Sequence, residues 1–399
     1  MADYFERVLT DAPTNVYVER YEVSNENFVG DNAPPWRMTK FRLHGGKQDG
    51  VDVIEVDNGT LTVVVVPTRG MGILEAYTSA LSLGWQSPVR QVVHPAHVNE
   101  EACGGLGWLE GFNEFICRCG PAYHGAPGPD MAPTNTGAMQ EVSLPLHGTL
   151  ANTPAARVSV RVRPKPPYEL SVVGEVYDTR MFGTCYRLES VLSTVPGSSE
   201  FAVTDTIENL GGTASDLELL YHCNYGSPLL WEGAQVLAPV AYACPRDERA
   251  REGIEDWDTY GPPEAGFAEQ CYFLRLHGDE NAKTLVALVA PDSSRAATIR
   301  YSVEQLPAFT IWKNTAAEQD GYVTGLEPGT DYPNSRQFER EKGRVIQLPP
   351  GGTYTTKLRF ALVSGAEKVT KLRDEVEELT KGKPSEVVPT LDPEYCPEA

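Results

Sequence analysis

Two histidines and one glutamate stand beside turn-forming residues at the ends of strand-like segments. His147 lies in LHGTLANTP, His222 ends LELLYH and is followed by Asn224, and Glu327 precedes a Pro-Gly turn in GLEPGTDYPN. Imidazole and carboxylate side chains can exchange protons with a neutral hydroxylated substrate near neutral pH. The three residues therefore indicate general acid–base chemistry, although each one taken singly is also typical of a structural histidine or a surface charge.

The eight cysteines have the spacing of neither a disulfide scaffold nor a zinc module. Cys117 and Cys119 form a C-x-C pair with Cys103 before them, whereas structural zinc sites usually pair their ligands in C-x-x-C or H-x-x-x-H clips. His94 and His97 are spaced more like a clip, but they flank a proline. We therefore expect reduced, packed thiols, no metal and no other cofactor.

Alternating apolar and polar residues predict the elements that position these side chains. Val51–Val56 and Thr60–Val66 flank an Asp-Asn-Gly sequence, which favours a hairpin turn. Similar strand-like stretches recur at 157–163, 169–177, 186–192, 200–209, 216–222, 284–290, 309–314 and 354–363. Turn residues separate the stretches and almost no helical period lies between them, so we expect an all-β fold, an antiparallel β-sandwich.

One helix is predicted near the C-terminus, over residues 364–382. Ser364 and Glu367 have the spacing of a capping box, and Gly382 follows the last turn. An apolar stripe at helical spacing is formed by Val369, Leu372, Val376 and Leu379. This stripe predicts a helix that covers a sheet or carries a subunit contact.

The formal net charge is −21, from 34 basic and 55 acidic residues. A surface this negative disfavours binding to nucleic acid and to anionic membranes. The N-terminus lacks the pattern of a signal peptide, and no apolar run approaches the ~20 residues of a membrane helix. We expect a soluble, cytoplasmic protein in which residues 1–383 form one domain, with 1–50 as an N-terminal extension and 384–399 as an extended acidic tail.

Taken in order, six segments of the chain resemble the galactose mutarotase (aldose 1-epimerase) superfamily, and most closely its bacterial DUF4432 branch. They lie between Val51 and Val363 and read VVPTRGMGILE, GWLEGFNEFICRCG, LHGTLANTP, EVYDTRMFG, LLYHCNYGSP and GLEPGTDYPNSR. The resemblance implies a β-supersandwich, a large twisted antiparallel fold with a sugar bound in a cleft across one sheet.

The resemblance also implies roles for four residues. Glu327 matches the base that takes the proton of the anomeric hydroxyl, and His222 matches the acid that protonates the ring oxygen. His147 matches an upstream histidine that hydrogen-bonds the sugar, and Arg69 matches an arginine that binds sugar hydroxyls. An arginine at the end of a strand can equally pair with a carboxylate.

Further substrate contacts are predicted around these four residues. Asn224 follows the matched acid, and Trp312 and Lys313 offer a stacking face and a cation, or else a core tryptophan beside a snorkelling lysine. His124 is either an extra substrate ligand or a loop-packing residue. The segment 94–133 is predicted to be an ordered loop that walls the cleft, with side chains contributed by Trp108, Phe112, Tyr123 and His124.

The partner is predicted to be a small-molecule sugar bound by a monomer or a homo-oligomer. A neutral sugar is favoured over a phosphorylated one, because only Arg69, Arg118 and Lys313 are candidates to bind a phosphate. Three functions remain open on the residues: an aldose 1-epimerase, another sugar isomerase, epimerase or lyase on the same scaffold, and a non-catalytic carbohydrate-binding protein. The presence of both His222 and Glu327 favours an enzyme, since a binding protein needs no acid–base pair.

Overall fold

The computed structural model describes residues 4–28 and 34–398. Its strands, in chain order, are β1 Phe5–Asp11, β2 Val16–Tyr17, β3 Tyr21–Ser24, β4 Arg37–Arg42, β5 Asp52–Asp57, β6 Thr62–Val66, β7 Gly72–Tyr77, β8 Ser82–Leu83, β9 Ile116–Cys119, β10 Gly128–Pro133, β11 Met139–Leu144, β12 Arg157–Val162, β13 Leu170–Thr179, β14 Cys185–Thr194, β15 Glu200–Asn209, β16 Ser215–Leu217, β17 Leu220–Tyr225, β18 Gln235–Leu237, β19 Val240–Pro245, β20 Gln270–Leu276, β21 Lys283–Val289, β22 Arg295–Ser302, β23 Ala308–Asn314, β24 Val323–Gly329, β25 Ile346–Leu348, β26 Thr353–Ser364 and β27 Glu386–Val387. Its α-helices are α1 Ala102–Gly105, α2 Glu248–Arg251, α3 Arg336–Glu341 and α4 Ala366–Thr380.

Two large, mainly antiparallel sheets form a β-sandwich, which confirms the predicted fold class. Over the described ranges, one sheet has ten strands in the order β18-β21-β22-β26-β15-β14-β13-β12-β1-β2. The other has thirteen, in the order β27-β19-β20-β23-β24-β17-β9-β7-β6-β5-β4-β3 with β8 beside β7. Apolar side chains from both sheets, such as Val63 and Val172, pack into a common core. The predicted hairpin is present, since β5 pairs with β6.

The burial pattern of individual strands separates the outside of the sandwich from the region that carries the candidate site. Along β15, buried and partly exposed residues alternate, as expected for a strand with one covered face. Every residue of β17 and β24 is buried. Tyr221 and Cys223 of β17 belong to the core between the sheets, whereas Leu220 packs outward against Trp108 and Phe112. These strands are therefore covered on both faces.

The stretch 216–222, predicted to be one strand, divides into β16 and β17. The break falls at Glu218 and Leu219. The backbone N–H of Glu218 donates to the carbonyl of Pro121, and the backbone N–H of Leu219 donates to the hydroxyl of Thr330. These partners lie outside the strand ladder, so the prediction of a continuous strand was wrong.

Both ends of the chain are more closely integrated than their sequences indicate. β1 pairs with β12 and β4 pairs with β5, so much of the 1–50 extension is built into the two sheets. In the tail, β27 pairs with β19, and Tyr395 and Cys396 are buried against Tyr242 and Cys244. The residues of the tail that pack are its few apolar ones. The acidic composition of the segment as a whole does not reveal this packing.

The C-terminal helix is present as α4, but its predicted cap is wrong. Ser364 ends β26, and the residue that precedes the helix is Gly365, which has a positive φ and provides no side-chain cap. Val369 and Leu372 of the predicted stripe are buried against the ten-stranded sheet, as expected. Among the described residues, no helix combines the length and hydrophobicity needed to span a bilayer.

Candidate active site

His222 and Glu327 lie side by side on the outward face of the thirteen-stranded sheet. β17 and β24 are antiparallel neighbours, and their register places the two residues opposite each other. His222 Nε2 is 3.2 Å from Glu327 Oε1, and the two residues are 5% and 2% exposed. The sheet thus brings together a predicted acid and a predicted base that are 105 positions apart in the sequence.

A glycine on the same face makes room for this pair. Gly325 lies opposite Asn224 on β17 and Trp312 on β23. A Cβ added at Gly325 would overlap Glu327 Oε1 and would come within 3.2 Å of His222 Cε1. Any side chain at this position would displace the carboxylate, so the pair depends on the glycine.

The hydrogen bonds of Asn224 determine which nitrogen of His222 carries a proton. The Asn224 amide group donates to the backbone carbonyls of Glu114 and His222, which leaves its Oδ1 as an acceptor. Oδ1 lies 2.7 Å from His222 Nδ1, so Nδ1 is the protonated nitrogen. In the neutral ring, Nε2 then presents a lone pair to Glu327. Asn224 therefore orients the imidazole and stands behind it, on the side away from Glu327.

Burial favours the neutral form of each member of the pair. Desolvation holds the pKa of His222 well below its usual value, and the neighbouring His147 lowers this pKa further. Desolvation raises the pKa of Glu327 well above its usual value, and Glu269 adds to the rise. A neutral imidazole and a neutral carboxyl group together carry one proton that can move between them, with Nε2 and Oε1 3.2 Å apart but not aligned as a hydrogen bond. Moving that proton from oxygen to nitrogen creates the imidazolium and the carboxylate, so the pair can accept and donate in one event.

His147 presents a hydrogen-bond acceptor to the same space. Its ring centroid is 5.4 Å from that of His222. His147 Nδ1 lies 2.8 Å from the backbone carbonyl of His124, which can only accept, so Nδ1 carries the proton and Nε2 is free to accept. Desolvation lowers the pKa of His147 to about 4, so the ring is neutral at pH 7. Its φ of +59° is unusual for a residue other than glycine and marks a backbone held in place by its surroundings.

Aromatic rings surround His222 on its outward side. The ring centroids of Phe112, Trp312 and Trp108 lie 5.1, 5.4 and 6.0 Å from the imidazole. Trp312 and His147 are partly exposed, whereas Trp108 and Phe112 are buried. The pair is therefore reached from solvent past Trp312 and His147, and aromatic faces at such an entrance suit the apolar face of a sugar ring.

Only part of the segment 94–133 is the loop that its composition indicates. Trp108 and Phe112 come from a single-turn helix that covers the site, as expected for a wall. Ile116–Cys119, however, forms β9, a fully buried strand between β7 and β17. Because both faces of β9 are covered, its sequence shows no alternation, and the prediction of a loop was wrong there.

All eight cysteines are free thiols.

Arg69 lies next to the site and is held by protein groups. Its guanidinium forms a buried ion pair with Glu114 and donates to the backbone carbonyl of Val93 and to Asn152 Oδ1, at 3.1 and 2.8 Å. Within the described part of the chain, its Nη2 has no hydrogen-bond partner. Arg69 is connected to His222 through Glu114, whose backbone carbonyl accepts from Asn224. The structure thus favours the carboxylate-pairing alternative, and a direct role in binding hydroxyls stays a prediction.

Two predicted substrate ligands and one predicted phosphate ligand point away from the pair. The Lys313 ammonium donates to the carbonyls of Asp256 and Thr259, because successive residues of β23 face opposite sides and Trp312 takes the site side. His124 is fully buried and its ring contacts Asp331. Arg118 lies between the two sheets and pairs with Asp205. For His124 and Lys313 these contacts agree with the packing alternatives that the sequence left open, and their roles as substrate ligands, like phosphate binding by Arg118, stay predictions.

Two charged residues that sequence reasoning missed stand at the entrance. Glu269 Oε2 accepts a hydrogen bond of 2.7 Å from Trp312 Nε1, and Arg246 pairs with Glu269 at 3.1 Å. Arg246 lowers the pKa of Glu327, whereas Glu269 raises it. Arg246 directly follows β19 and Glu269 directly precedes β20, and neither residue lies in a motif. Only the adjacency of β20 and β23 in the sheet brings them to the site.

Comparisons with known proteins agree with this architecture. A family model described as a domain of unknown function, DUF4432, matches residues 48–362. The crystal structure of a candidate aldose 1-epimerase from Klebsiella pneumoniae subsp. pneumoniae MGH 78578 is 34% identical in sequence, with a TM-score of 0.90. That similarity covers 98% of this chain and 100% of the Klebsiella chain. No curated protein matches.

More distant solved structures share the fold alone. A galactose mutarotase-like protein from Clostridium acetobutylicum is 12% identical over 82% of this chain and 98% of its own, with a TM-score of 0.56. A galactose 1-epimerase from Lactobacillus acidophilus NCFM is 10% identical over 82% of this chain and 99% of its own, with a TM-score of 0.53. Since the family model spans well over half of the chain, this protein belongs to the DUF4432 family, and its fold is that of the galactose mutarotase-like β-sandwiches.

Proposed function

We propose that this protein is an aldose 1-epimerase type of isomerase, which interconverts the anomers of a sugar by acid–base ring opening. The observation that carries the proposal is the buried His222–Glu327 pair, with Nε2 and Oε1 3.2 Å apart. Burying two titratable groups side by side costs free energy, and such groups in a cleft are typical of functional sites. A protein that only bound a sugar would gain nothing from that cost.

The proposed reaction needs one proton to leave the sugar and one to arrive. The Glu327 carboxylate takes the proton of the anomeric hydroxyl, and the His222 imidazolium gives its proton to the ring oxygen. The C1–O5 bond breaks as the C1–O1 bond becomes a carbonyl, so the products are the open-chain aldehyde, a protonated Glu327 and a neutral His222. Rotation about the C1–C2 bond and reversal of both transfers yields the other anomer and restores the pair.

The surrounding residues support substrate positioning. His147 Nε2 is placed to accept a hydrogen bond from a sugar hydroxyl, because Nδ1 is occupied by the His124 carbonyl. Trp312 offers a ring face at the entrance, and its Nε1 is engaged by Glu269. Glu269 and Arg246 form an ion pair at the same entrance, so these two charges offset each other and a neutral sugar needs no further charged partner there.

The proposal is tested by measuring anomer exchange by NMR across a panel of free sugars. Glu327→Gln keeps the shape of the side chain and removes its basicity, so exchange of a responsive sugar should slow by about 10²- to 10⁴-fold. Circular dichroism and the unfolding midpoint check that the variant is folded. If no sugar responds to the wild-type protein, or if Glu327→Gln leaves the exchange unchanged, the proposed function is wrong.

A further inference from the structure

A second group of buried titratable residues lies behind His147, away from the His222–Glu327 pair. His124, Glu218 and Asp331 are all fully buried, and a ligand atom from each lies within 4.8 Å of the others. The three are distant in the chain, since His124 and Asp331 are 207 positions apart. The sheet brings them together because Glu218 lies between β16 and β17, and Asp331 lies just after β24, the antiparallel neighbour of β17.

The hydrogen bonds of this group leave one buried atom of each residue without a partner. His124 Nε2 lies 2.5 Å from Asp331 Oδ1, and Glu218 Oε2 accepts a hydrogen bond of 3.0 Å from Arg336. Among the described residues, no hydrogen-bond partner reaches His124 Nδ1, Glu218 Oε1 or Asp331 Oδ2. A buried polar atom without a partner costs free energy, so an ion ligated by this group would stabilise it.

The charges of the group point to a cation. Glu218 is paired with Arg336, but Arg336 also pairs with Asp130 at 3.2 Å. Asp331 contacts His124 and the hydroxyl of Thr330, and within the described ranges no lysine or arginine pairs with it. The His124 ring contacts only one oxygen of Asp331, so the group sets two carboxylates against one imidazole.

We propose that His124, Glu218 and Asp331 bind a structural divalent transition-metal ion, with zinc as the best-fitting case. Three ligand atoms within 4.8 Å of one another are close enough to converge on one ion at zinc–nitrogen and zinc–oxygen bond lengths of about 2.0–2.2 Å after small side-chain shifts. One imidazole and two carboxylates suit zinc better than calcium or magnesium, which prefer oxygen ligands alone. This site is not recognisable from the sequence, because its ligands do not form a clip.

The ion would brace the part of the wall that holds His147. The backbone carbonyl of His124 accepts the hydrogen bond from His147 Nδ1, so fixing the His124 ring also fixes that carbonyl. The same ion would tie the segment around His124 to the ends of β17 and β24. This role is independent of the proposed sugar chemistry, and a failure of either proposal leaves the other standing.

The test uses the purified full chain and Zn²⁺ alone as the probe. Bound metal is first removed by dialysis against a chelator, and elemental analysis checks that it is gone. Calorimetric titration with Zn²⁺ should then give one zinc per chain. At a hundredfold excess over the dissociation constant, zinc should raise the unfolding midpoint by about 3 °C, because it binds the native state and not the unfolded chain. Asp331→Asn and Glu218→Gln preserve side-chain shape and should each abolish stoichiometric binding.

Cys103→Ser is the matched control, because Cys103 is an exposed thiol that could bind zinc by itself. This variant should retain one zinc per chain. The proposal is overturned if the wild-type chain binds well below one equivalent, or if Asp331→Asn keeps the zinc while Cys103→Ser loses it. Should the carboxylate variants fail to fold, the wild-type stoichiometry and the Cys103→Ser result still decide the question.

Discussion

The two faces of the sheet around β9, β17 and β24 both bury charged residues, but they arrange them differently. On the inward face, Arg118 forms two hydrogen bonds with Asp205, at 2.5 and 3.1 Å, and donates further bonds to Ser190 and to the Met71 carbonyl. Asp205 also accepts from the hydroxyl of Tyr221. The charges are opposite and the carboxylate is saturated with donors, as a structural ion pair requires.

On the outward face, the contacts of the His222–Glu327 pair are incomplete. Glu327 Oε1 lies near His222 Nε2 but, among the described residues, has no aligned hydrogen-bond partner. Both groups favour their neutral forms, so the proton between them is not fixed by a permanent charge. Burial alone therefore does not distinguish a functional site from the core. Buried titratable groups whose hydrogen bonds are incomplete do indicate a site, because a stable core leaves few buried polar atoms without a partner.

The largest expected effect concerns the inward face. Arg118→Met should lower the free energy of unfolding by about 3–5 kcal/mol, because it leaves the Asp205 charge buried without a partner. Urea denaturation measures the loss. Replacing both residues, as Arg118→Met with Asp205→Leu, should recover most of the stability. A single variant within about 1 kcal/mol of the wild type would contradict a structural role for the pair.

A substitution at Gly325 should damage the outward face without unfolding the protein. The Cβ of Gly325→Ala overlaps Glu327 Oε1, so the carboxylate must move away from His222. Loss of this alignment should slow anomer exchange by about 10²-fold or more, since small misplacements of catalytic groups cost about that much. Gly261→Ala, at a position with no atoms within 4 Å of the added Cβ, is the control and should keep the wild-type rate. Equal rates for both variants would argue against the pair.

The pH dependence distinguishes a shared proton from two independent groups. The active pair holds one proton, so exchange should fall about tenfold per pH unit once the pair gains a second proton or loses its only one. The acidic limb should lie well below pH 6.5, because burial lowers the pKa of His222. The basic limb should lie well above pH 4.5, because burial raises the pKa of Glu327. A narrow bell centred between ordinary glutamate and histidine values would contradict this prediction.

The smallest effect is expected at His147. If its Nε2 accepts one hydrogen bond from a sugar hydroxyl, His147→Asn should raise KM by about tenfold and leave kcat within a fewfold of the wild type. Steady-state exchange measurements separate the two constants. A fall in kcat comparable with that of Glu327→Gln would instead make His147 part of the proton transfer. In the wild type, His147 lowers the free energy of unfolding as the pH falls from 6.5 to about 4, because the ring binds a proton in the unfolded chain but not in the folded one. His147→Asn should lack this pH-dependent loss of stability.

The alternation of the strands and the order of the motifs predicted the fold more completely than they predicted the residues of the site. Alternation located most strands because one face of each is solvated, and it failed at Ile116–Cys119, where both faces are covered. His222 and Glu327 were predicted because each is a titratable residue beside turn-forming residues in a strand-like segment, and because both match residues of a known family. Lys313 was misplaced because the side of the sheet that a residue faces depends on register with its neighbours. Glu269 was missed because only strand pairing, which the sequence does not display, brings it to Trp312.

His222 and Glu327 are expected to act as one unit, and a double-mutant cycle measures this coupling. Anomer exchange of a responsive sugar is measured by NMR for Glu327→Gln, His222→Asn and the double variant. Each single variant should be slower by about 10²- to 10⁴-fold, and the double variant should be no slower than the slower single one, because either change already removes the shared proton transfer. Effects that multiply in the double variant, or a single variant that keeps the wild-type rate, would contradict the claim.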